Sequence, residues 1–343
     1  MKHTEIDIEE AEVVGSRVGV FAGLSNAEYH GGDEVSKSST DVIRKSPAHY
    51  KHSRTVERKA PTPAQRIGTI DHKILLEPDD FWNEYARPFV APEGAIDTVP
   101  QLKDRLKELG EKVAASAKKS DLISQLHAAD PSAIILDEAK AAYAAEIGDR
   151  EILTDEEFAQ AEAVRAAVMT HPVAGKLLAP DSGEPELSCY WTDPETGVQC
   201  RCRPDWWRHD GIIVDLKTCL DASPEGFQKS IYGWRYHVQH AFYVDGATAA
   251  VSMQLERPTG GPVMPAPTGF VFVAVEKTPP YAVGVYMLDP QSVEIGRRDY
   301  REDLARYAEC IRTGEWSAYS PKIEPISLPE WVLRREAYEA EEG

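Results

Sequence analysis

The chain has 343 residues, 42% hydrophobic and 28% charged, with 38 Lys and Arg against 57 Asp and Glu for a formal charge of -19. That is enough apolar material for one large domain, or a domain with an insertion, and no apolar run approaches the roughly 18 residues of a membrane span. The five cysteines, Cys189, Cys200, Cys202, Cys219 and Cys310, are odd in number and lack a C-x-x-C pair, which argues against a disulfide framework and a four-thiolate metal site.

The N-terminus, MKHTEIDIEE, is acidic where a signal peptide is basic and then apolar, so the expected compartment is the cytoplasm. Acidic residues crowd both ends, giving expected solvated tails over 1–18 and 331–343. Between them, VSKSSTDVIRKSPAHYKHS predicts a short helix capped around Ser36 to Ser39 and turned at Pro47. PAQRIGTIDHKILLEP predicts a second helix that ends before Pro78.

Residues 98–128 have a different texture. Leu102, Leu106 and Leu109 recur at helical spacing, Gly110 stops the run, and a second helix begins near Ser120. This resembles a SAP-type helix-extended-loop-helix module inserted in a larger domain of residues 19–330. Over 98–126 it carries a net +2 in a strongly acidic chain, and Lys118 and Lys119 are its candidate DNA contacts.

The capping box Thr154 to Glu157 starts a long helix to about Thr170. ELSCYWT, VQCRCRPDWW and IIVDLKT then read as a three-stranded antiparallel meander with turns at DPETG and RHDG. A helix over SPEGFQKSIYGWRYHVQHAFYVDGA, the strands GFVFVAVEK and YAVGVYMLD, and a last helix complete an α/β (α+β) pattern with a central mixed sheet.

The chemistry concentrates in RCRPDWWRHDGIIVDLKT. A turn centred near Asp210 sets Asp205 opposite Asp215, and Lys217, two residues on, shares that face. Opposed carboxylates repel by roughly up to 1 kcal/mol unless a cation bridges them. The strand around them is apolar on both sides, as in a covered central strand. Such an oxygen-rich site suits Mg²⁺, with Mn²⁺ as a substitute, and an ammonium beside it suits phosphodiester hydrolysis.

These residues resemble the PD-(D/E)XK nuclease signature, Pro204-Asp205 as its first half and Asp215-Leu216-Lys217 as its second. Gly68-Thr69-Ile70-Asp71-His72 resembles the GTxxH motif of the RecB-like branch, and Gln239-His240-Ala241-Phe242-Tyr243 its QxxxY motif. Glu186 falls on the first strand of the meander, where the superfamily often has an acid. Blocks over roughly 20–95 and 150–315 are similar to the exonuclease VIII (RecE-type) recombination nucleases of phages; the 98–126 module departs from that pattern.

The resemblance implies a restriction-endonuclease-like core. It implies His72, Asp205, Asp215 and the Leu216 main-chain carbonyl as metal ligands, Lys217 as the catalytic lysine, and Asp205, Asp215 and Glu186 as the catalytic acids beside it, with Glu186 alternatively organising the metal's waters or the helix ahead. Gln239 and Tyr243, four apart on a helix, are implied DNA contacts. Ser39 is a candidate phosphate contact, with helix capping as its ordinary alternative. Trp206, Trp207, Trp234 and Tyr236 are candidates for stacking on bases, although aromatics beside a sheet ordinarily pack a core.

The implied function is a Mg²⁺-dependent exodeoxyribonuclease acting on double-stranded DNA ends, 5' to 3', that leaves 3' single-stranded tails. The implied partners are a RecT-like single-strand annealing protein and further copies of the chain in a ring-like trimer or tetramer. The rivals are a PD-(D/E)XK endonuclease or nickase, and a DNA-binding accessory protein with a vestigial site.

Overall fold

The computed structural model describes residues 17–56, 60–330, 332–335 and 338. Most of the two expected acidic tails lies outside the described residues. Among the described residues, ten strands run in chain order as β1 (Gly19–Phe21), β2 (Tyr85–Ala86), β3 (Glu151–Ile152), β4 (Gly183–Pro185), β5 (Ser188–Thr192), β6 (Gln199–Cys202), β7 (Trp206–Arg208), β8 (Ile212–Cys219), β9 (Gly269–Glu276) and β10 (Val283–Tyr286). Five of them form a mixed sheet in the order β10-β9-β8-β7-β4, and β1-β5-β6 form a smaller antiparallel sheet.

β8 and β9 pair in parallel over eight residues, from Ile212 opposite Gly269 to Cys219 opposite Glu276. Both faces of this pair are covered, which is why IIVDL shows no polar side. Ile213, Phe270, Phe272 and Ala274 pack into one core with the helices Tyr236–Glu256 and Pro290–Thr313. Val214, Leu216, Val273 and Val275 pack into a second core with the helices Pro63–Leu76 and Asp155–Thr170. The chain is thus a sheet between helical layers, the α/β architecture expected from the sequence. No helix among the described residues is long and apolar enough to cross a membrane.

Two elements depart from the expectation. The segment VQCRCRPDWW is not one strand: Pro204, which has no N–H for a ladder, stands in a break between β6 in the small sheet and β7 in the large one. The three-stranded meander is therefore a hairpin bent across two sheets plus β8. The segment read as one helix from Ser223 is two, Pro224–Gly233 and Tyr236–Glu256, separated at Arg235, whose φ is 54°.

The insert leaves the core after β2 and returns at β3, which pair in parallel and close its base. Its helices Val99–Glu108 and Lys119–Ala129 enclose a small core of their own, Leu102, Leu106, Leu122, Leu126 and Ile135. A bridge from Ile96 to Ile135 ties its two ends. The helix Leu136–Ile147 lies beyond the 98–128 span.

Candidate active site at the sheet junction

The strand path explains why acidic side chains meet. β4 pairs with β7 in the large sheet, and their continuations β5 and β6 pair in the small one with an unbroken register, so Glu186 stands opposite Asp205 where the hairpin bends. Glu186 N donates to the Asp205 carbonyl at 3.1 Å across that bend. Glu186 has φ of 50°, a left-handed conformation that costs a residue with a side chain about 1–2 kcal/mol and that argues for a functional constraint at the position. On the other side of Asp205, Trp206 faces Val214 and Trp207 faces Ile213. That is the register read from the RHDG turn, and it puts Asp205 level with Asp215.

Three carboxylates thus stand in a row across neighbouring chains. The Asp205 carboxylate accepts from Leu216 N at 2.7 Å, which pins it to the β8 backbone. His72, on the helix Pro63–Leu76, brings Nδ1 to 3.7 Å from Asp205 Oδ2. Ligand atoms of His72, Glu186 and Asp205 all lie within 4.8 Å of one another. Asp215 is outside that trio: wholly buried, it accepts from Gln239 Nε2 at 2.5 Å and pairs with Lys217 Nζ at 2.5 Å. Lys217 Nζ also sits 4.8 Å over the Tyr236 ring.

The titration of these groups follows from crowding. Burial, then the charge of Asp205, pushes the Glu186 carboxyl up to about 8. Burial raises Asp205 as well, against the pull of Lys217, and takes Asp215 to about 6. Burial opposes the Lys217 ammonium, but Asp215 and Asp205 outweigh it and hold its pKa above the ordinary value. Burial, then Lys217, lowers His72 to about 4, so its imidazole is neutral at pH 7, the form that ligates a metal.

With every carboxylate ionised, three negative charges face one ammonium, and the excess of two matches a divalent cation. One neutral imidazole with carboxylate oxygens is a donor set that suits Mg²⁺ or Mn²⁺. The residues present therefore fit a divalent ion held by His72, Glu186 and Asp205, with Asp215 and the Leu216 main chain adjoining.

A cleft of about 680 Å³ opens beside this row, lined by Glu186, Lys217, Gln239, Tyr243, Ser36, Lys37, Ser39, Arg54, Arg201 and Arg203 among others. Ser39, Gln239 and Tyr243, predicted as DNA contacts, thus share one wall system with Lys217. Ser39 N also bonds the Ser36 side chain that caps its helix, so it lies at the cap as well as in the cleft. Lys118 and Lys119 are not in that cleft; Lys119 Nζ pairs with Asp137 at 2.5 Å within the insert. The sequence reading missed Arg201 and Arg203, whose spacing of two places them on one face. Arg203 binds Ser188, Asn26 and the Leu24 carbonyl, and stacks 4.0 Å over Tyr29. It also missed Lys37 and Arg54, which only the fold brings to the cleft.

A PDDEXK-like domain of unknown function (DUF3799) matches residues 36–329. The chain belongs to that family. The match spans all of β2 to β10 and every residue of the carboxylate row, so the core is of the PD-(D/E)XK nuclease kind. Among solved structures, a Eubacterium rectale protein provisionally named an exonuclease is similar at 13% identity and a TM-score of 0.49, covering 91% of this chain and 98% of that one. The protein SSO0001 is similar at 11% identity and a TM-score of 0.25, covering 71% of this chain and 86% of that one. Both scores fall below 0.5, and the family assignment rests on the sequence match alone. No curated protein matches the sequence.

Proposed function

We propose that the protein is a metal-dependent exodeoxyribonuclease that degrades duplex DNA from an end. The observation that carries this reading is the row Glu186, Asp205 and Asp215, flanked by His72 and Lys217 and opening on a cleft lined by basic side chains. A divalent ion bound by His72, Glu186 and Asp205, Mg²⁺ or Mn²⁺, would supply charge neutralisation and polarise a phosphoryl oxygen. Lys217, kept protonated by its carboxylate neighbours, holds the attacking water or the charge that develops on the phosphoryl oxygens. Gln239 holds Asp215 in place by its 2.5 Å bond, and Tyr243 and Ser39 present hydroxyls to the backbone of the strand in the cleft.

Digestion from the 5' end, 3' single-stranded tails, a single-strand annealing partner and a ring-like homo-oligomer follow from the resemblance to RecE-type nucleases and belong to the same proposal, as does the cytoplasmic setting expected from the acidic N-terminus. So does contact of DNA with Lys118 and Lys119 of the insert. The test is incubation of linear and covalently closed duplex DNA with Mg²⁺ or EDTA, with one strand labelled at either end, beside a Lys217→Ala variant. Metal-dependent loss of linear DNA alone, absent in the variant, is the expected result, and the order of label release gives direction. Cutting of closed circles would replace the reading with an endonuclease, and binding without cutting with an accessory protein.

A further inference from the structure

Of the four aromatic residues that the sequence offers as base-stacking candidates, three are taken up by the fold. Trp206 and Trp207 are buried in the two cores, and Tyr236 lies under the Lys217 ammonium. Trp234 is different: 67% of it is exposed, and Tyr232, two residues before it, is 81% exposed. A single exposed aromatic side chain is unremarkable. What distinguishes this one is how firmly its backbone is held, and where.

Trp234 occupies the break between the helices Pro224–Gly233 and Tyr236–Glu256. Its neighbour Arg235 is in the left-handed region at φ 54°, and the Arg235 guanidinium locks that turn by binding Asp41 at 2.9 Å and the fully buried Asp303 at 2.6 Å. From the other side, Lys37 Nζ donates to the Trp234 carbonyl at 2.7 Å. Lys37 is itself a wall of the cleft that contains Lys217. The Trp234 backbone is thus fixed on a left-handed, multiply bonded turn whose carbonyl meets a wall residue of the basic cleft, and its indole is exposed. The pairing of Arg235 with buried Asp303 serves the fold, and it also leaves Trp234 on a backbone that does not have to be ordered when a ligand binds.

We infer that Trp234 is a stacking platform for an unpaired base at the end of the bound DNA. The inference rests on the nuclease reading of the adjoining site. The cleft's basic lining suits the phosphate backbone, and an aromatic plane beside such a groove accepts any base, because every base has a π-face. The platform would hold a frayed terminus beside the cleft and favour ends with unpaired bases over fully paired ones.

The test is fluorescence anisotropy of full-length protein in EDTA with a labelled duplex that carries a three-nucleotide overhang, the same duplex with an abasic overhang, and a blunt duplex. Trp234→Ala is expected to bind the base-bearing overhang about tenfold more weakly, with little change on the abasic or blunt duplex, and Trp234→Phe to recover most of the loss. An Ala variant equal to the parent on the base-bearing overhang overturns the platform while leaving the nuclease reading intact, as does a variant weakened equally on all three DNAs. Failure of the parent to bind any duplex, in EDTA and again with Ca²⁺ supplied to the carboxylate site, removes both. Loss of self-association in Trp234→Ala, with DNA affinity unchanged, would reassign the surface to a second copy of the chain and so overturn the platform.

Discussion

Lys217→Met tests the electrostatics of the site through stability as well as activity. Asp215 has no solvent exposure, and its partners are the Lys217 ammonium and the Gln239 amide, each at 2.5 Å. Removing one member of a buried ion pair leaves an uncompensated charge, at a cost of about 3–5 kcal/mol. The sign with pH follows from Asp215, whose pKa is already raised to about 6 by burial and rises further once the ammonium that lowers it is gone. A carboxyl whose folded pKa is raised binds a proton more readily in the folded state, so its stabilising effect is complete at low pH and lost as pH rises through the folded value. Urea denaturation of metal-free protein should therefore show Lys217→Met close to the parent at pH 5 and several kcal/mol less stable at pH 8. Asp215→Asn added to it should restore most of the loss at pH 8, because the charge left unpaired is removed. Equal destabilisation at both pH values, or no rescue by the second substitution, would refute the account of Lys217 as the counter-ion of a buried Asp215.

Three further outcomes are expected. Mn²⁺ should raise the melting temperature of the parent, since an ion that binds only the folded state stabilises it, and His72→Ala or Glu186→Gln should shrink that rise; a full shift in both variants would rule out the His72, Glu186 and Asp205 trio as the binding site. Asp71 is 1% exposed and burial pushes its carboxyl up to about 7, so Asp71→Asn should stabilise metal-free protein by about 2–4 kcal/mol at pH 8.5 and by less than half as much at pH 5, as read by denaturation at the two pH values. A Cβ at Gly246 would lie 2.3 Å from the Trp191 ring, and Gly246→Ala should cost about 1–3 kcal/mol through overpacking; an unchanged urea midpoint would show that the helix can shift off that ring.

The parts of the fold legible in the sequence are those fixed by local pattern. The Thr154 to Glu157 capping box starts the helix Asp155–Thr170 where expected, with both reciprocal bonds present, and the RHDG turn gives the correct register of β7 on β8. The insert's own core was visible in the spacing of Leu102 and Leu106, whereas Leu109, read onto the same face, caps the helix and is exposed. What the sequence obscured is where the chain changes sheet. Pro204 marks the break, but an X-Pro step reads equally as an edge, a bulge or a bend, and nothing local tells which sheet receives the next strand. The helix break at Arg235 was hidden for a related reason: Gly233 weakens the helix, but the left-handed turn is stabilised by Asp41 and Asp303, 194 and 68 residues away in sequence.

The same bend that escaped the sequence is what makes the site. In a continuous flat hairpin, Glu186 and Asp205 would face each other at close range and repel without purpose. Because the hairpin turns from one sheet into the other at those two residues, the large sheet opens there, and β8 runs past the opening with Asp215 and Lys217 still in register. The gap admits His72 from the helix on one face and Gln239 from the helix on the other. An excess of two negative charges on one buried and two half-buried carboxylates is relieved by protonation, which is the direction in which Glu186, Asp205 and Asp215 are all displaced. A divalent cation relieves the same strain without protons. The junction is therefore a place where folding alone leaves an electrostatic cost of the sign that metal binding removes, and for that reason the cluster as a whole supports the proposed metal site more strongly than any one of its residues does.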